Sequence, residues 1–148
     1  MKKRTRPTAL SEFSAPEFAP GSEHVLEVAK LATGGQGVAR ARGFVVFVNR
    51  GLPGQTVRAR ITARRKRHAE AVILEILAPS PDQVPLFCPA AGTCGGCAWQ
   101  ELAYERQLEW KRTLVVESLS RLAGAEGIAV AATVPSPRLE HFRNKMEF

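Results

Sequence analysis

Residues 56–67 read Thr-Val-Arg-Ala-Arg-Ile-Thr-Ala-Arg-Arg-Lys-Arg. Val57, Ala59 and Ile61 recur at a period of two with Arg58 and Arg60 between them, which is the alternation of a strand with one core face and one cationic face. The basic run at 64–67 then forms a hairpin tip, and residues 68–77 follow as another strand, closed by Ala78-Pro79-Ser80-Pro81. Upstream, residues 23–31 make a first strand candidate, Thr33-Gly34-Gly35-Gln36-Gly37 a turn, and 38–42 and 44–48 two more strands divided by Gly43. Gly51-Leu52-Pro53-Gly54 breaks the chain before residue 56. Five short strands in this order suit a small closed or nearly closed barrel of the OB type, which leaves no exposed edge. A three-stranded sheet with loose hairpins is the competing arrangement.

Beyond the barrel the texture changes. Residues 100–123 are helical in pattern, with Tyr104, Leu108, Val115, Leu119 and Leu122 along one stripe and Gly124 as the stop. Residues 128–134 suit a short strand, Pro135-Ser136-Pro137 a turn, and 142–148 the opening of another strand, cut off in mid-pattern. The expected class is α+β: a flexible tail over 1–22, an OB-like barrel over 23–80, and over 81–148 a cysteine loop, a long amphipathic helix and the start of a further β region. No stretch is apolar for long enough to span a membrane, and the charged start at residues 1–4 leads into no signal-peptide core. The chain is expected in the cytoplasm, as a monomer.

The formal net charge of +7 is unevenly distributed. Between Val28 and Ala78 lie Lys30, Arg40, Arg42, Arg50, Arg58, Arg60, Arg64, Arg65, Lys66 and Arg67, opposed within that span by Glu70 and Glu75. From Trp99 onward basic residues and glutamates balance. A cationic barrel fits a polyanion, because Lys and Arg neutralise phosphates and release counterions. Arg40, Arg42, Arg58, Arg60, Arg64, Arg65, Lys66 and Arg67 are therefore the candidate nucleic-acid contacts. Phe44 and Phe47 fall on opposite faces of their strand, so one of them is free to stack on a base or to pack on the neighbouring helix.

All three cysteines lie in the stretch Cys88-Pro89-Ala90-Ala91-Gly92-Thr93-Cys94-Gly95-Gly96-Cys97. Three thiols in a C-x5-C-x2-C pattern, with glycines that let backbone turn round a metal, are ligands for an iron–sulfur cluster or for zinc. Four ligands are usual and this chain supplies three. For zinc, the available histidines are His24, His68 and His141.

These residues resemble the S-adenosylmethionine-dependent RNA uracil-C5 methyltransferases, in the branch that acts on 23S ribosomal RNA. The resemblance rests on Gly35-Gln36-Gly37-Val38-Ala39-Arg40, Val45-Val46-Phe47-Val48, Leu52-Pro53-Gly54-Gln55 and Pro79-Ser80-Pro81. It continues through Cys88-Pro89, Cys94-Gly95-Gly96-Cys97, Trp99-Gln100-Glu101-Leu102, Tyr104, Gln107-Leu108, Lys111 and Phe142-Arg143-Asn144-Lys145. It implies a TRAM domain over the barrel and a [4Fe-4S] cluster on Cys88, Cys94 and Cys97, its fourth ligand beyond Phe148. It further implies a C-terminal domain that binds S-adenosylmethionine, so that this chain is the N-terminal part of a longer enzyme, with no catalytic or cofactor-binding residue of its own. The family often has Gln-His-Leu where this chain has Gln100-Glu101-Leu102. The alternatives are a stand-alone RNA-binding module with structural zinc and a tRNA 5-methyluridine methyltransferase.

Overall fold

The computed structural model describes residues 18–140 except 92, 94, 95, 125 and 126. Strands β1 Glu23–Leu31, β2 Gly37–Ala41, β3 Phe44–Asn49, β4 Thr56–Arg64 and β5 His68–Ala78 close into a barrel in the order β1-β2-β3-β5-β4. β3 and β5 run parallel, while the other four pairings are antiparallel. The fold is α+β, and closure of the sheet rules out the three-stranded arrangement.

Side-chain size explains how five strands close. Val57, Ala59 and Ile61 of β4 point inward and are buried, as their alternation demands, and Ala39, Ala69 and Ala71 join Leu26, Val28, Val46 and Val48 around them. Alanines among branched residues let facing strands approach across a narrow interior. The β2–β3 hairpin turns on Arg42 and Gly43, both at positive φ (49° and 82°), between Ala41 and Phe44, which pair in register. Two such residues give the turn whose twist matches the flanking strands.

β1 carries a register shift between Val28 and Lys30. There the Val28 N–H donates to the Gln55 carbonyl (2.9 Å) and the Gly54 N–H to the Val28 carbonyl (2.8 Å), stitching the irregularity to the β3–β4 loop. The shift bends the strand. Leu31 beyond it joins a second core with Leu52 and Leu102, against which Trp99 and Trp110 pack.

The barrel begins earlier than the sequence suggested. Phe18 is 4% exposed and stacks on Phe44 with ring centroids 5.2 Å apart. The Gly21 N–H donates to the Ile61 carbonyl (2.8 Å), and the Ile61 N–H donates to the Ser22 carbonyl (2.9 Å). Residues 18–22 of the expected tail thus line the barrel, and residues 1–17 lie outside the described residues.

Helix α1 runs Tyr104–Ala123, ending at Gly124 in the left-handed conformation (φ 60°). It starts four residues later than the periodicity implied, because residues 99–103 are held in a turn. There the Leu102 N–H donates to the Trp99 carbonyl, and the Ala103 N–H donates to the Asp82 carbonyl of the preceding segment. The expected apolar stripe is also not the face turned to the barrel: Val115 is 48% and Leu122 85% exposed. Trp110 and Glu117, about half a turn round the helix, make those contacts instead, Trp110 in the second core and Glu117 on Lys30 (2.8 Å).

Residues 128–134 form no strand. They run extended beside α1, held where Arg112 Nε donates to the Val130 carbonyl (2.9 Å) and Thr133 Oγ1 to the Leu108 carbonyl (2.9 Å). The Val130 carbonyl is met by a side chain rather than by a neighbouring strand, so β-propensity alone misleads here. Residues 142–148, expected to open another strand, lie outside the described residues. Among the described residues no helix is long and apolar enough to cross a membrane.

Candidate nucleic-acid interface and cysteine loop

Topology gathers most of the candidate cations at one end of the barrel. The parallel register of Val45 with His68 sets the start of β3 beside the start of β5, so the β2–β3 and β4–β5 turns share a rim. Arg42 occupies the first turn, Arg65, Lys66 and Arg67 the second, and Arg40 and Arg64 the adjoining strand ends. Arg40, Lys66 and Arg67 are exposed and make no ion pair with any described residue. Arg65 is 63% exposed, with its Nε 3.8 Å from Glu70. Arg64 lies over the Phe44 ring, 5.2 Å from its centroid, and its buried Nε has no hydrogen-bond acceptor among the described residues.

Arg58 and Arg60 stand apart from this rim. Both project from the outer face of β4 onto carboxylates: Arg58 Nη2 is 2.7 Å from Glu75, and Arg58 Nη1 and Arg60 Nη2 are 3.3 and 3.0 Å from Glu23. The Glu23 carboxyl is held below the ordinary carboxylate range, first by its hydrogen bond from Arg60. Arg58 is raised, first by its hydrogen bond to Glu75. The pairing of Glu23 with Arg60 across β1 and β4 is a register neighbour relation. The positive field on this face is therefore weaker than the residue count of β4 suggests.

The opposite end of the barrel receives the cysteine segment. Its base is clamped by the bridge between Gln83 and Leu102, with the Val84 N–H donating to the Glu101 carbonyl (2.8 Å) and the Ala103 N–H to the Asp82 carbonyl (2.9 Å). A chain of polar groups ties that base to the β3–β4 loop. Buried Gln55 accepts from the Leu52 N–H (2.9 Å) and donates to Gln83 Oε1 (3.0 Å), while Arg50 pairs with Glu101. At the β1–β2 turn the Trp99 indole N–H donates to the Gly35 carbonyl (3.1 Å).

Within the loop, Cys88 is half-buried and its N–H donates to Gln100 Oε1 (3.2 Å), while Cys97 is exposed. Both carry free thiols, soft donors of the kind that suit an iron–sulfur cluster or zinc. Cys94 lies outside the described residues, and among the described residues no group of three or more His, Cys, Asp or Glu side chains converges. His24 is the second residue of β1 and His68 the first of β5, so both lie at the strand ends away from the β1–β2 turn and the cysteine segment. His141 lies outside the described residues. A cleft of about 680 Å³ opens beside the loop, lined among others by Phe87, Cys97, Trp99, Tyr104, Lys111 and Arg138.

Residues 18–74 match the family model described as the TRAM domain. The barrel is a TRAM domain. Over 131 residues the chain is 48% identical to a protein of Nitratidesulfovibrio vulgaris named "Uncharacterized RNA methyltransferase", covering 88% of this chain and 28% of that one. A protein of the same name from Clostridium tetani is 41% identical over 86% of this chain and 28% of its own length. The 23S rRNA (uracil(1939)-C(5))-methyltransferase RlmD of Alkalilimnicola ehrlichii is 35% identical over 76% of this chain and 25% of its own. The chain is similar to these RNA methyltransferases over most of its own length and spans 25–28% of theirs. A solution structure of a conserved protein from Methanococcus maripaludis aligns with 48% of this chain and all of that one, at 27% identity and a TM-score of 0.40.

For several residues that shape this TRAM domain and its junction, the sequence reveals no partner. Glu23, the first residue of β1, sits between two arginines; register across β1 and β4 reveals this, but register is not readable before pairing is known. Phe18 lies among Pro, Glu and Ser residues that mimic a disordered tail. Gln55 and Gln83 are ordinary loop glutamines until folding brings them within 3.0 Å of each other. Glu101 finds Arg50 as its partner only in the fold.

Proposed function

We propose that this chain is the RNA-docking and cysteine-bearing part of an S-adenosylmethionine-dependent methyltransferase that forms 5-methyluridine in 23S rRNA. The observation that carries the reading is the similarity to a 23S rRNA uracil-C5 methyltransferase over 76% of the chain. The unneutralised cations of the barrel rim support it. Arg40, Lys66 and Arg67, with Arg42, Arg64 and Arg65 beside them, offer phosphates a convergent positive edge, and each phosphate neutralised releases counterions. Arg58 and Arg60 would contact RNA only by exchanging their carboxylate partners.

Cys88, Cys94 and Cys97 would hold a [4Fe-4S] cluster, with a fourth ligand from outside this chain. Such a cluster, when bound, supplies a rigid crosslink of the loop, since methyl transfer to uracil involves no net electron transfer. The chain's own contribution is positional: the polar chain through Gln55, Gln83 and Glu101 and the Trp99–Gly35 hydrogen bond hold the loop against the barrel. The methyl-transfer step is assigned to no residue described here.

The complete protein, purified without oxygen, should contain iron and sulfide and show the broad visible absorbance of a cluster, lost in Cys88→Ser and Cys97→Ser. Zinc without iron would overturn the cluster and favour a structural-zinc module. Labelled methyl groups should pass from S-adenosylmethionine to 23S rRNA lacking the modification; transfer to tRNA alone would reassign the substrate. The double substitution Lys66→Glu with Arg67→Glu should reduce the salt slope of RNA binding by about two, and an unchanged slope would place RNA elsewhere.

A further inference from the structure

The outer face of β3 carries an aromatic that neither core uses. Val46 and Val48 are fully buried, so Phe47 between them points outward. The barrel core contains Phe18 and Phe44, and the second core contains Trp99 and Trp110; Phe47 is in neither. Helix α1 contacts the barrel through Trp110 and Glu117, and Phe47 is partly buried, beside Val38 and the Lys30 that Glu117 pairs with. The ring partner of Phe47 is His68 of β5, edge to face at 5.2 Å between centroids and 79° between planes. His68 also faces outward, since Ala69 and Ala71 point into the core, and its side chain is 36% exposed.

Charge surrounds this pair on the side of the rim. Arg40 is in register with Val45, and Val45 with His68, so the three form one outward row across β2, β3 and β5. Phe47 stands in the next row, with Val38 and Glu70 as its register neighbours. Strands lie about 4.8 Å apart, which places Arg40 within a side chain's reach of a phosphate whose base rests on Phe47. Arg67 directly precedes His68, so the β4–β5 tip supplies a second cation on the other flank. Glu70, 4.0 Å from His68 and 3.8 Å from Arg65, is the acidic group beside the pair.

We propose that Phe47 and His68 form a stacking platform for an unpaired RNA base, with the attached phosphates taken by Arg40 and the 65–67 tip. The inference rests on the reading of the barrel as an RNA-binding domain and adds the state of the RNA it takes: single-stranded at this point, with one base laid on the phenyl ring. Stacking is sequence-tolerant because every base has a π-face, so the platform selects unpaired nucleotides rather than a particular base.

The test uses the full chain, a fluorescein-labelled single-stranded RNA 12-mer and the same sequence as a duplex, titrated at several salt concentrations. Phe47→Leu keeps apolar bulk on the strand and removes the π-face; it should weaken single-strand binding roughly five- to a hundred-fold, with the salt slope and duplex binding unchanged. Phe47→Trp should bind single strands at least as tightly as the parent, which separates stacking from damage to the fold. In a 4-thiouridine photo-crosslinking experiment the adduct should fall on the β3 or β5 peptide. A folded Phe47→Leu protein that binds single strands as well as the parent, or adducts confined to other peptides, would overturn the platform while leaving RNA binding by the rim intact. If the parent chain binds neither RNA, the reading of the barrel itself fails.

Discussion

Gly35→Ala should detach the cysteine segment from the barrel, and Gly34→Ala, one residue away, should not. Gly34 has φ +102° and Gly35 φ +91°, so an alanine at either position pays the left-handed backbone penalty of about 1–2 kcal/mol, reduced by about 0.4–1 kcal/mol through the less flexible unfolded chain. Their surroundings differ. A Cβ on Gly34 would meet nothing within 4 Å, whereas one on Gly35 would lie 2.5 Å from the Ala98 Cβ and 3.1 Å from the Trp99 indole nitrogen. The Ala98 methyl is fixed to its backbone, so relief requires the turn or the loop to move by about 1 Å. Overpacking of that kind costs about 1–3 kcal/mol; if the loop swings away instead, the Trp99–Gly35 hydrogen bond and part of the second core are lost at similar cost. Gly35→Ala should therefore be about 1–3 kcal/mol less stable than Gly34→Ala. Urea unfolding followed by tryptophan fluorescence measures this, since Trp99 and Trp110 both report from the junction. Equal midpoints for the two variants would refute the docking contact.

Gln55→Ala should destabilise the chain by about 1–3 kcal/mol, because it strands the buried Leu52 N–H and removes the donor to Gln83; chemical denaturation checks this, and a loss below about 0.5 kcal/mol would show that water replaces the side chain. Glu23→Gln addresses the ion-pair face. The folded-state pKa of Glu23 lies below its unfolded value, so its contribution is present above the unfolded pKa and is lost as pH falls through the folded one. The variant should therefore show a flatter stability profile than the parent on the acid side, between about pH 5 and pH 3. An identical acid limb in both proteins would remove Glu23 from that role.

The parts of this molecule that follow from local rules were legible in its sequence. The period-two alternation of Val57, Ala59 and Ile61 falls within β4, and glycines mark the turns on either side of β2. Barrel closure was a sound inference because five short strands without a covering layer would otherwise leave edges exposed. What stayed hidden depends on long-range pairing. The stripe through Tyr104, Leu108 and Leu119 has good helical spacing, but residues 128–136 run along part of it, while the barrel meets the other side through one tryptophan and one glutamate. The partial neutralisation of Arg58 and Arg60 by Glu23 could not be counted either, because Glu23 is thirty-odd positions away and reaches them only through the β1–β4 register.

The separation of the two barrel ends bears on how RNA and the cysteine loop could influence each other. Exposed cations collect where the β2–β3 and β4–β5 turns meet, and the cysteine segment docks where the β1–β2 turn and the β3–β4 loop meet. Strands β1 and β2 run the length between them, and the register shift at Val28 is where β1 changes from the barrel core to the second core. Val28 is also the residue stitched to Gly54 and Gln55, the latter being the first member of the polar chain that reaches Glu101 at the base of the loop. A movement of the cysteine loop would thus be felt first at the Val28 irregularity, the least regular part of β1, and only then at the rim. Coupling through a packed element of this kind requires that it have two discrete arrangements. A closed barrel with a fully buried Val28 has little room for a second one, so the junction is better suited to hold the loop in a fixed place relative to the rim than to relay a signal between them.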